Sequence, residues 1–247
     1  MNWVKRWFGT PTNTLQSYAA LGADMHAHWL PGIDDGAQTL TDSLEMIHGL
    51  VELGFRKLTA TPHIMCDLYQ NTPTIIRERL EEVRGACEKE GLPVELNAAA
   101  EYLLDEGFTD HLRVYGPLLI AERYILIEHS FHTPPPNLST LVFDLQTRGY
   151  RPILAHPERY RHYHGQLHVL TELAARGVAL QVNLMSLTGH YGKQVKNAAE
   201  ALISTGQVSF LGTDIHRPAQ LPVLREVLNG RQVDTKLTLN AFVNRTL

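Results

Sequence analysis

The sequence predicts an α/β fold, a single-domain TIM-like barrel of seven β/α units. The chain has 247 residues, 44% hydrophobic and 19% charged, which is enough to bury a sizeable core. Short apolar runs alternate with longer segments of 3.6-residue period, a pattern typical of parallel β/α units. No repeat or Gly/Ser linker divides this pattern. A doubly wound open sheet is the alternative architecture.

Seven short runs are predicted to be the strands of a parallel sheet. Their residues are apolar at most positions, as expected for strands that are buried on both faces. In chain order they are Ala23–His26, Lys57–Ala60, Val94–Ala100, Tyr124–Glu128, Pro152–Ala155, Ala179–Asn183 and Val208–Leu211.

Helices are predicted between these strands from their start and stop signals. The first has its N-terminal signal at Asp42, repeats Leu44, Ile47 and Val51 on one face, and ends at Gly54. The second begins at a Thr-Pro pair, where threonine can cap the helix and proline suits its first turn. Each later helix stops before a glycine, which readily adopts the left-handed conformation at a helix end. These helices cover 72–90, 138–148, 166–176 and 194–204.

Composition excludes several classes of protein. A net charge of −4 argues against a nucleic-acid-binding protein that depends on bulk positive charge. Two cysteines cannot form a disulfide framework and indicate a reducing cytoplasm. No run of about 18 apolar residues is present, so no transmembrane segment is expected. Residues 1–21 are expected to form an N-terminal extension, and residues 22–247 the functional domain.

Histidines and carboxylates follow almost every predicted strand. In a β/α barrel the carboxyl ends of the strands surround one mouth, so these side chains converge there. His26 and His28 are two residues apart in an extended segment, so they can share one metal, and Asp214 and His216 repeat this spacing. Imidazole and carboxylate without thiolate suit manganese, iron or zinc in a polynuclear site. The candidates are His26, His28, Asp34, Asp35, His63, Glu101, Glu128, His129, His156, Asp214 and His216.

Other catalytic motifs are missing from the sequence. A cysteine phosphatase needs an arginine six residues after its nucleophile, but Thr72 and Pro93 stand at that distance from Cys66 and Cys87. There is no G-x-S-x-G elbow, Walker loop or G-x-G-x-x-G segment, which disfavours serine hydrolases, P-loop enzymes and dinucleotide enzymes. Both cysteines are therefore interpreted as ordinary packing thiols.

The run DMHAHWLPGIDDGA at residues 24–37 resembles the opening motif of a known enzyme family. These are the bacterial metal-dependent protein-tyrosine phosphatases of capsule and exopolysaccharide loci, in the polymerase-and-histidinol-phosphatase (PHP) superfamily. The similarity extends from about Gly22 to the C-terminus. The later motifs follow in the family's order: Ala60–His63, Ala100–Tyr102, Leu126–Glu128, Ala155–Tyr160, Gln181–Asn183 and Thr213–His216.

The resemblance implies a PHP-type barrel with two or three divalent ions, usually manganese, with iron or zinc possible. The implied ligands of the first metal are His26, His28, Glu101 and Asp214. Glu101 would also bridge to a second metal that is completed by Glu128 and His156. A third metal would be held by Asp35, His63 and His216.

The resemblance also implies a phosphoric monoester hydrolase that acts on the tyrosine-rich tail of a membrane-associated kinase controlling polysaccharide export. A metal-activated hydroxide would attack phosphorus, and cationic side chains would neutralise the phosphoryl oxygens. Arg159, the candidate catalytic residue, and Arg217 are the best placed cations for substrate binding. The alternatives are a small-molecule phosphoesterase, such as a histidinol phosphatase, and a non-catalytic metal-binding partner of the export machinery.

Two pairs of neighbouring residues leave the ligand set open. Strand alternation allows only one of Glu128 and His129 to face the mouth, and histidinol-phosphatase branches of the superfamily place a histidine there. Asp34 and Asp35 present the same choice. Position in the family's motifs favours Glu128 and Asp35.

Overall fold

The structure is a computed structural model that describes residues 17–229 and 242–247. Within these ranges it contains nine β-strands and seven α-helices that mostly alternate along the chain. The strands are β1 (Ala23–Asp24), β2 (Lys57–Ala60), β3 (His63–Ile64), β4 (Glu95–Ala98), β5 (Glu101–Leu103), β6 (Tyr124–Glu128), β7 (Arg151–Ala155), β8 (Ala179–Asn183) and β9 (Val208–Gly212). The helices are α1 (Leu40–Glu52), α2 (Pro73–Lys89), α3 (Phe108–Tyr115), α4 (Leu138–Thr147), α5 (Leu167–Ala175), α6 (Lys193–Ser204) and α7 (Leu221–Asn229).

The described strands pair in parallel and form two sheets. One sheet has the order β1-β2-β4, and the other has the order β3-β5-β6-β7-β8-β9. Every predicted run overlaps a strand, so the parallel α/β class is confirmed. The prediction missed β3 and β5, which continue the course of β2 and β4 after a break. Pro62 has no N–H to donate at the first break, and strands of two or three residues are too short to show a pattern.

Backbone hydrogen bonds join the two sheets beyond the carboxyl ends of β1 and β9. Ala27 forms an isolated parallel bridge with Ile215. The His28 N–H donates to Ile215 O at 2.9 Å, and the Asp214 N–H donates to His26 O at 2.7 Å. These bonds hold the first and last predicted metal-binding segments side by side.

The start of one predicted helix is confirmed and the start of another is wrong. Helix α2 begins as predicted, with Thr72 accepting a hydrogen bond from the Ile75 N–H. The predicted start of α1 at Asp42 is wrong. Thr39 is the N-cap, and Asp42 completes a capping box three residues later by accepting from the Thr39 N–H at 2.9 Å. Gly54, with φ 109°, ends α1 in the left-handed region as expected.

Two helices were not predicted, and both are short. Helix α3 buries only Phe108 and Leu112, which is too few apolar positions to reveal a 3.6-residue period. Helix α7 buries Leu224, Val227 and Leu228 over nine residues. Among the helices of the described ranges, none is long and apolar enough to cross a membrane.

A large apolar core packs the helices against the sheets and includes residues before the predicted domain boundary. Tyr18 is buried and stacks on Phe55 with a centroid distance of 5.0 Å. Its hydroxyl donates to Leu224 O at 2.8 Å, on α7. Leu21 is also fully buried. Residues 17–21 therefore pack on the domain, whereas residues 1–16 of the predicted extension lie outside the described ranges.

Asn244 makes a second connection between the two sheets. Its Nδ2 group donates to Ala23 O in β1 at 3.0 Å and to Leu211 O in β9 at 2.7 Å. Its Oδ1 atom accepts from the Leu211 N–H at 3.0 Å. The side chain is fully buried, so its three hydrogen bonds satisfy backbone groups that have no access to water.

We expect Asn244→Ala to lower the free energy of unfolding by about 2–4 kcal/mol, because it leaves buried backbone groups of both sheets unpaired. Urea titration followed by circular dichroism measures this change. The matched control is Thr246→Ala, which removes an exposed hydroxyl from the same segment and is expected to change stability by less than about 0.5 kcal/mol. Equal effects of the two variants would contradict the bridging role of Asn244.

Candidate metal centre

The nine predicted metal ligands lie together at the carboxyl ends of the strands. Six of them are at most 3% exposed, and His63 is 9% exposed. Only Asp35 and His216 face solvent to a larger extent, with side chains 51% and 19% exposed. The strands and the segments that follow them supply the nine residues: His26, His28, Asp35, His63, Glu101, Glu128, His156, Asp214 and His216.

The first group consists of His26, His28, Glu101 and Asp214. The His26 Nε2 atom lies 3.3 Å from His28 Nε2, 3.2 Å from Glu101 Oε2 and 3.4 Å from Asp214 Oδ1. The His28 Nε2 atom lies 3.4 and 3.5 Å from the same two carboxylate oxygens. Two donor atoms about 2.1 Å from one ion at a tetrahedral angle are about 3.4 Å apart. These spacings therefore fit a shared divalent ion.

The hydrogen bonds of the two imidazoles also fit a metal. The His28 Nδ1 atom lies 2.7 Å from Asp34 Oδ2, which can only accept when Asp34 is ionised. The His26 Nδ1 atom lies 2.9 Å from Gln181 Oε1, which can only accept. The amide of Gln181 is oriented this way because its Nε2 group donates to Asn183 Oδ1. Both Nδ1 atoms are thus assigned as donors, so the two Nε2 atoms and the carboxylate oxygens around them are the positions available to a cation.

Glu101 extends this group in two directions. Its Oε2 atom lies 3.1 Å from His63 Nδ1, which is 3.0 Å from Glu128 Oε1. None of these three buried atoms has a hydrogen-bond partner among the described residues, although they lie within contact distance. The other oxygen of Glu101, Oε1, lies 2.9 Å from His156 Nε2. One buried carboxylate therefore contacts both sides of the centre.

The third group, which consists of Asp35, His63 and His216, is the outer group of the centre because it lies toward the solvent. Asp35 Oδ1 is 3.4 Å from His63 Nε2 and 3.5 Å from His216 Nε2. The imidazole of His216 stacks on that of His28 at a centroid distance of 3.9 Å. His63 thus faces Glu101 and Glu128, the second group, through Nδ1, and it faces Asp35 of the third, outer group through Nε2. The three groups therefore form one continuous centre.

Electrostatics hold the buried carboxylates of the centre in their charged form. Burial by itself raises the pKa of Glu101, but the imidazoles of His26 and His63 outweigh this effect and hold it well below its usual range. Burial opposes ionisation of Asp214 in the same way, and its neighbours, His26 first among them, hold its pKa well below the usual value. Both side chains are therefore ionised and able to bind a cation at neutral pH.

Two residues of the centre have a left-handed backbone. His156 has φ 34° and Asp214 has φ 51°, a conformation that costs about 1–3 kcal/mol for residues other than glycine. Each follows the end of a strand and turns the chain so that its side chain lies in the cluster. Such strain persists only where the surrounding contacts demand it, which is typical of functional sites.

The structure separates both ambiguous pairs by geometry. Glu128 lies in the cluster, whereas the His129 imidazole stacks on Tyr160 at 4.0 Å and lies 3.2 Å from the Tyr163 hydroxyl. Burial lowers the pKa of His129 to about 4, so this imidazole is neutral at neutral pH. Asp35 lies in the outer group, whereas Asp34 is buried behind it.

The sequence did not predict a supporting role for the polar residues behind the cluster, among which Asp34 was considered only as an alternative ligand to Asp35. Asp34 accepts from the His63 N–H at 3.1 Å as well as contacting His28. Asn183 donates from Nδ2 to Asp214 Oδ2 at 2.6 Å. With Gln181 it forms a polar pair two residues apart in the apolar strand β8. That pair could have indicated a function, because buried amides in a strand need specific partners.

The two predicted cationic residues occupy different environments. Arg159 donates from Nη1 to Asp214 Oδ2 at 2.9 Å, so it directly contacts one residue of the first group. Arg217 is exposed and lines a cavity of about 720 Å³ together with Asp35, Tyr69 and His216. This cavity leads from solvent to the outer group of the centre.

The two cysteines lie outside the histidine clusters. Both thiols are free, and Cys87 is buried in the core on α2. Cys66 lies near Asp67 and Glu106, but these two carboxylates are exposed. This position agrees with the interpretation of both residues as thiols without a phosphate loop.

Parallel strands that end in buried histidines and carboxylates define an α/β protein with a candidate polynuclear metal centre, a type of site common among hydrolases. The chain belongs to the family described as "Capsular polysaccharide synthesis, CpsB/CapC", whose profile matches residues 22–237.

Relatives of known name agree with this assignment. The tyrosine-protein phosphatase YwqE of Bacillus subtilis is 34% identical over 204 residues, which cover 78% of this chain and 76% of YwqE. A putative tyrosine-protein phosphatase CapC of Staphylococcus aureus is 28% identical, with 85% and 83% covered.

Solved structures show the same fold. A chain from the crystal structures of YwqE from Bacillus subtilis and CpsB from Streptococcus pneumoniae, described as unique metal-dependent tyrosine phosphatases, superposes with a TM-score of 0.75. It is 30% identical, and the match covers 90% of this chain and 95% of that one. A histidinol phosphate phosphatase from Lactococcus lactis, complexed with zinc, L-histidinol and phosphate, has a TM-score of 0.54 at 12% identity over 85% and 93%. This second likeness concerns the fold alone.

We expect Asp34→Asn to weaken metal binding about 10- to 100-fold, because it removes the charge of the carboxylate whose Oδ2 atom contacts both His28 Nδ1 and the His63 N–H. Competition with a fluorescent chelator measures this affinity. Asp144→Asn, an exposed substitution on α4, is the control and should bind metal like the wild type. Unchanged affinity in Asp34→Asn would exclude an orienting role for Asp34.

Proposed function

We propose that this chain is a metal-dependent protein-tyrosine phosphatase that hydrolyses phosphotyrosine. The observation that carries this proposal is the cluster of carboxylates and imidazoles around Glu101, in a chain of the CpsB/CapC family. Of the relatives named above, YwqE is a tyrosine-protein phosphatase and CapC a putative one, and the chain matches more than three quarters of the length of each.

The proposal includes the architecture and extent of the domain. We infer one TIM-like (β/α)7 barrel of the PHP type, formed by residues 22–247, with residues 17–21 of the preceding segment packed on it. The bridge between Ala27 and Ile215 and the hydrogen bonds of Asn244 support it, because they join the edges of the two sheets. The fold similarity to a histidinol phosphate phosphatase supports it as well.

The residues fit two or three divalent ions, and we propose manganese, with iron or zinc as alternatives, because nitrogen and oxygen donors without thiolate suit all three. When bound, such ions lower the pKa of water and neutralise phosphoryl oxygens. His26, His28, Glu101 and Asp214 would hold one ion. Glu128 and His156 would hold a second with Glu101, and Asp35, His63 and His216 would hold a third.

The side chains themselves supply orientation and positive charge. Asp34 and Gln181 keep the two inner imidazoles turned with Nε2 toward the centre. Arg159 lies beside Asp214 and would contact the phosphoryl group, with Arg217 at the rim of the open cavity as a second substrate contact. Phenolate has a conjugate acid of pKa about 10, so it departs with less help from an acid than an alkoxide needs.

The proposed substrate is the phosphotyrosine tail of a membrane-associated tyrosine kinase that controls capsule or exopolysaccharide synthesis. The family's description as capsular polysaccharide synthesis supports this partner. We also propose a cytoplasmic location. It is consistent with two free thiols and with a substrate whose phosphate comes from ATP inside the cell.

We expect the purified protein to contain two or three metal ions and to hydrolyse a phosphotyrosine peptide faster than histidinol phosphate at equal metal loading. Chelation should abolish the activity, and added metal should restore it. Phosphate release and elemental analysis measure these outcomes. Faster turnover of histidinol phosphate would indicate the small-molecule alternative, and inactivity toward both substrates at full loading would indicate a non-catalytic metal-binding protein.

The control for this experiment is the double variant Cys66→Ser, Cys87→Ser. It should remain active, because neither thiol lies in the histidine clusters. Activity that resists chelation but is lost with iodoacetamide would reverse the assignment.

We expect Glu101→Ala and Arg159→Ala to differ in metal content. Loss of Glu101 should lower both bound metal and turnover, the latter by several orders of magnitude. Arg159→Ala should keep its metals and lose about 30- to 900-fold in kcat/KM, which corresponds to about 2–4 kcal/mol for a charged contact to phosphate. Wild-type kinetics in Arg159→Ala would show that this arginine only stabilises the fold.

A further inference from the structure

The guanidinium of Arg159 is in contact with two aromatic rings. Its Cζ atom lies 4.4 Å from the centroid of the Tyr191 ring and 4.8 Å from that of Phe131. Both distances are within the range in which an aromatic face attracts a cation. The side chain of Arg159 is 25% exposed, so these contacts are formed in a partly desolvated place where such attraction is stronger.

The three residues come from three separate segments at the carboxyl end of the sheet. Phe131 follows β6, Arg159 follows β7 and Tyr191 follows β8. Phe131 also contacts two residues near the centre, because its ring stacks on His156 at 5.7 Å with an interplanar angle of 16° and lies 5.4 Å from the Tyr160 ring. The fold therefore brings the two rings to the arginine.

Asp214 links this arrangement to the metal centre. Its Oδ1 atom faces His26 and His28, whereas its Oδ2 atom accepts from Arg159 Nη1 and from Asn183 Nδ2. Among the hydrogen bonds of the described residues, Arg159 uses Nη1 alone. A guanidinium has five N–H donors in one plane, so Nε and Nη2 keep donors for a ligand.

We propose that Phe131 and Tyr191 form an aromatic clamp, which holds the guanidinium of Arg159 in position to bind the phosphoryl group of the substrate. This inference rests on the proposed function. Arginine has several rotatable bonds, and a phosphate contact is strong only when the planar fork is already oriented. The two rings restrict the guanidinium, while Asp214 fixes one of its edges. Phe131 and Tyr191 are thus positioning residues that act through Arg159.

The test is a double-mutant cycle on the metal-loaded protein. Tyr191→Leu and Phe131→Leu each remove one ring, and we expect each to lower kcat/KM on a phosphotyrosine peptide about tenfold. The loss should fall mainly on kcat, because the arginine contact strengthens as charge develops on the phosphoryl oxygens. Tyr191→Phe restores the ring without the hydroxyl and should recover most of the activity that Tyr191→Leu loses.

The decisive comparison is made in the Arg159→Ala background. If the rings act through the arginine, Tyr191→Leu and Phe131→Leu have less than about a twofold effect there. If each still lowers kcat/KM about tenfold, the rings act independently and the clamp is wrong. Phe143→Leu, which shortens a 63% exposed ring on α4, is the matched control and should leave kinetics unchanged.

Binding of inorganic phosphate gives a readout that does not depend on turnover. Calorimetry should show a weaker affinity for phosphate in Tyr191→Leu than in the wild type, by a smaller factor than the loss in kcat/KM, at unchanged metal content. Adding Tyr191→Leu to Arg159→Ala should weaken phosphate binding no further. This arm also separates the two proposals. If the variants change phosphate binding in this pattern but the wild type does not hydrolyse phosphotyrosine, the clamp is supported and the proposed function is contradicted. If the wild type is active but loss of either ring leaves phosphate binding unchanged, the clamp alone is contradicted.

Discussion

The contacts of one buried carboxylate, that of Glu101, organise the site. Its two oxygens lie 2.9–3.4 Å from ring nitrogens of four imidazoles, which come from three segments of the chain: the one after β1, β3 itself and the one after β7. A fully buried negative charge is costly unless cations or hydrogen bonds compensate it. Here compensation comes from imidazoles, and divalent ions fit between the same atoms. The positions of the surrounding strand ends therefore depend on how this charge is satisfied.

A polar network behind the ligands sets their orientation. Asp34 and Gln181 each engage the Nδ1 atom of one imidazole, and Asn183 ties the amide of Gln181 to Asp214. Such partners determine which ring nitrogen faces the metal. The network also binds backbone groups, since His156 donates its N–H to Gln181 Oε1 at 3.3 Å. The packing of the sheet thus determines the orientation of the inner ligands, while Asp35 and His216 of the outer group are exposed to solvent.

The carboxyl end of the sheet combines several features that lower the stability of the folded state. Buried charges, left-handed residues and closely spaced imidazoles are all unfavourable there. The helices and sheets beneath them bury an extensive apolar core, with Trp29, Phe55 and Phe210 fully inaccessible. Stability is therefore concentrated in the body of the protein, and the strand ends carry the chemistry, as is usual in parallel α/β proteins.

The sequence by itself determined the class of fold and most of the candidate ligands. Seven apolar runs marked the strands, and the pair His26 and His28 marked a shared metal, because both patterns depend only on local spacing. Only the tertiary structure separated Glu128 from His129 and Asp34 from Asp35, since either member of each pair can bind a metal and packing decides which of them faces the cluster. It also supplied the second-layer partners and the rings around Arg159. Most of these contacts join residues tens of positions apart, and no local periodicity records which distant side chains the packing brings together.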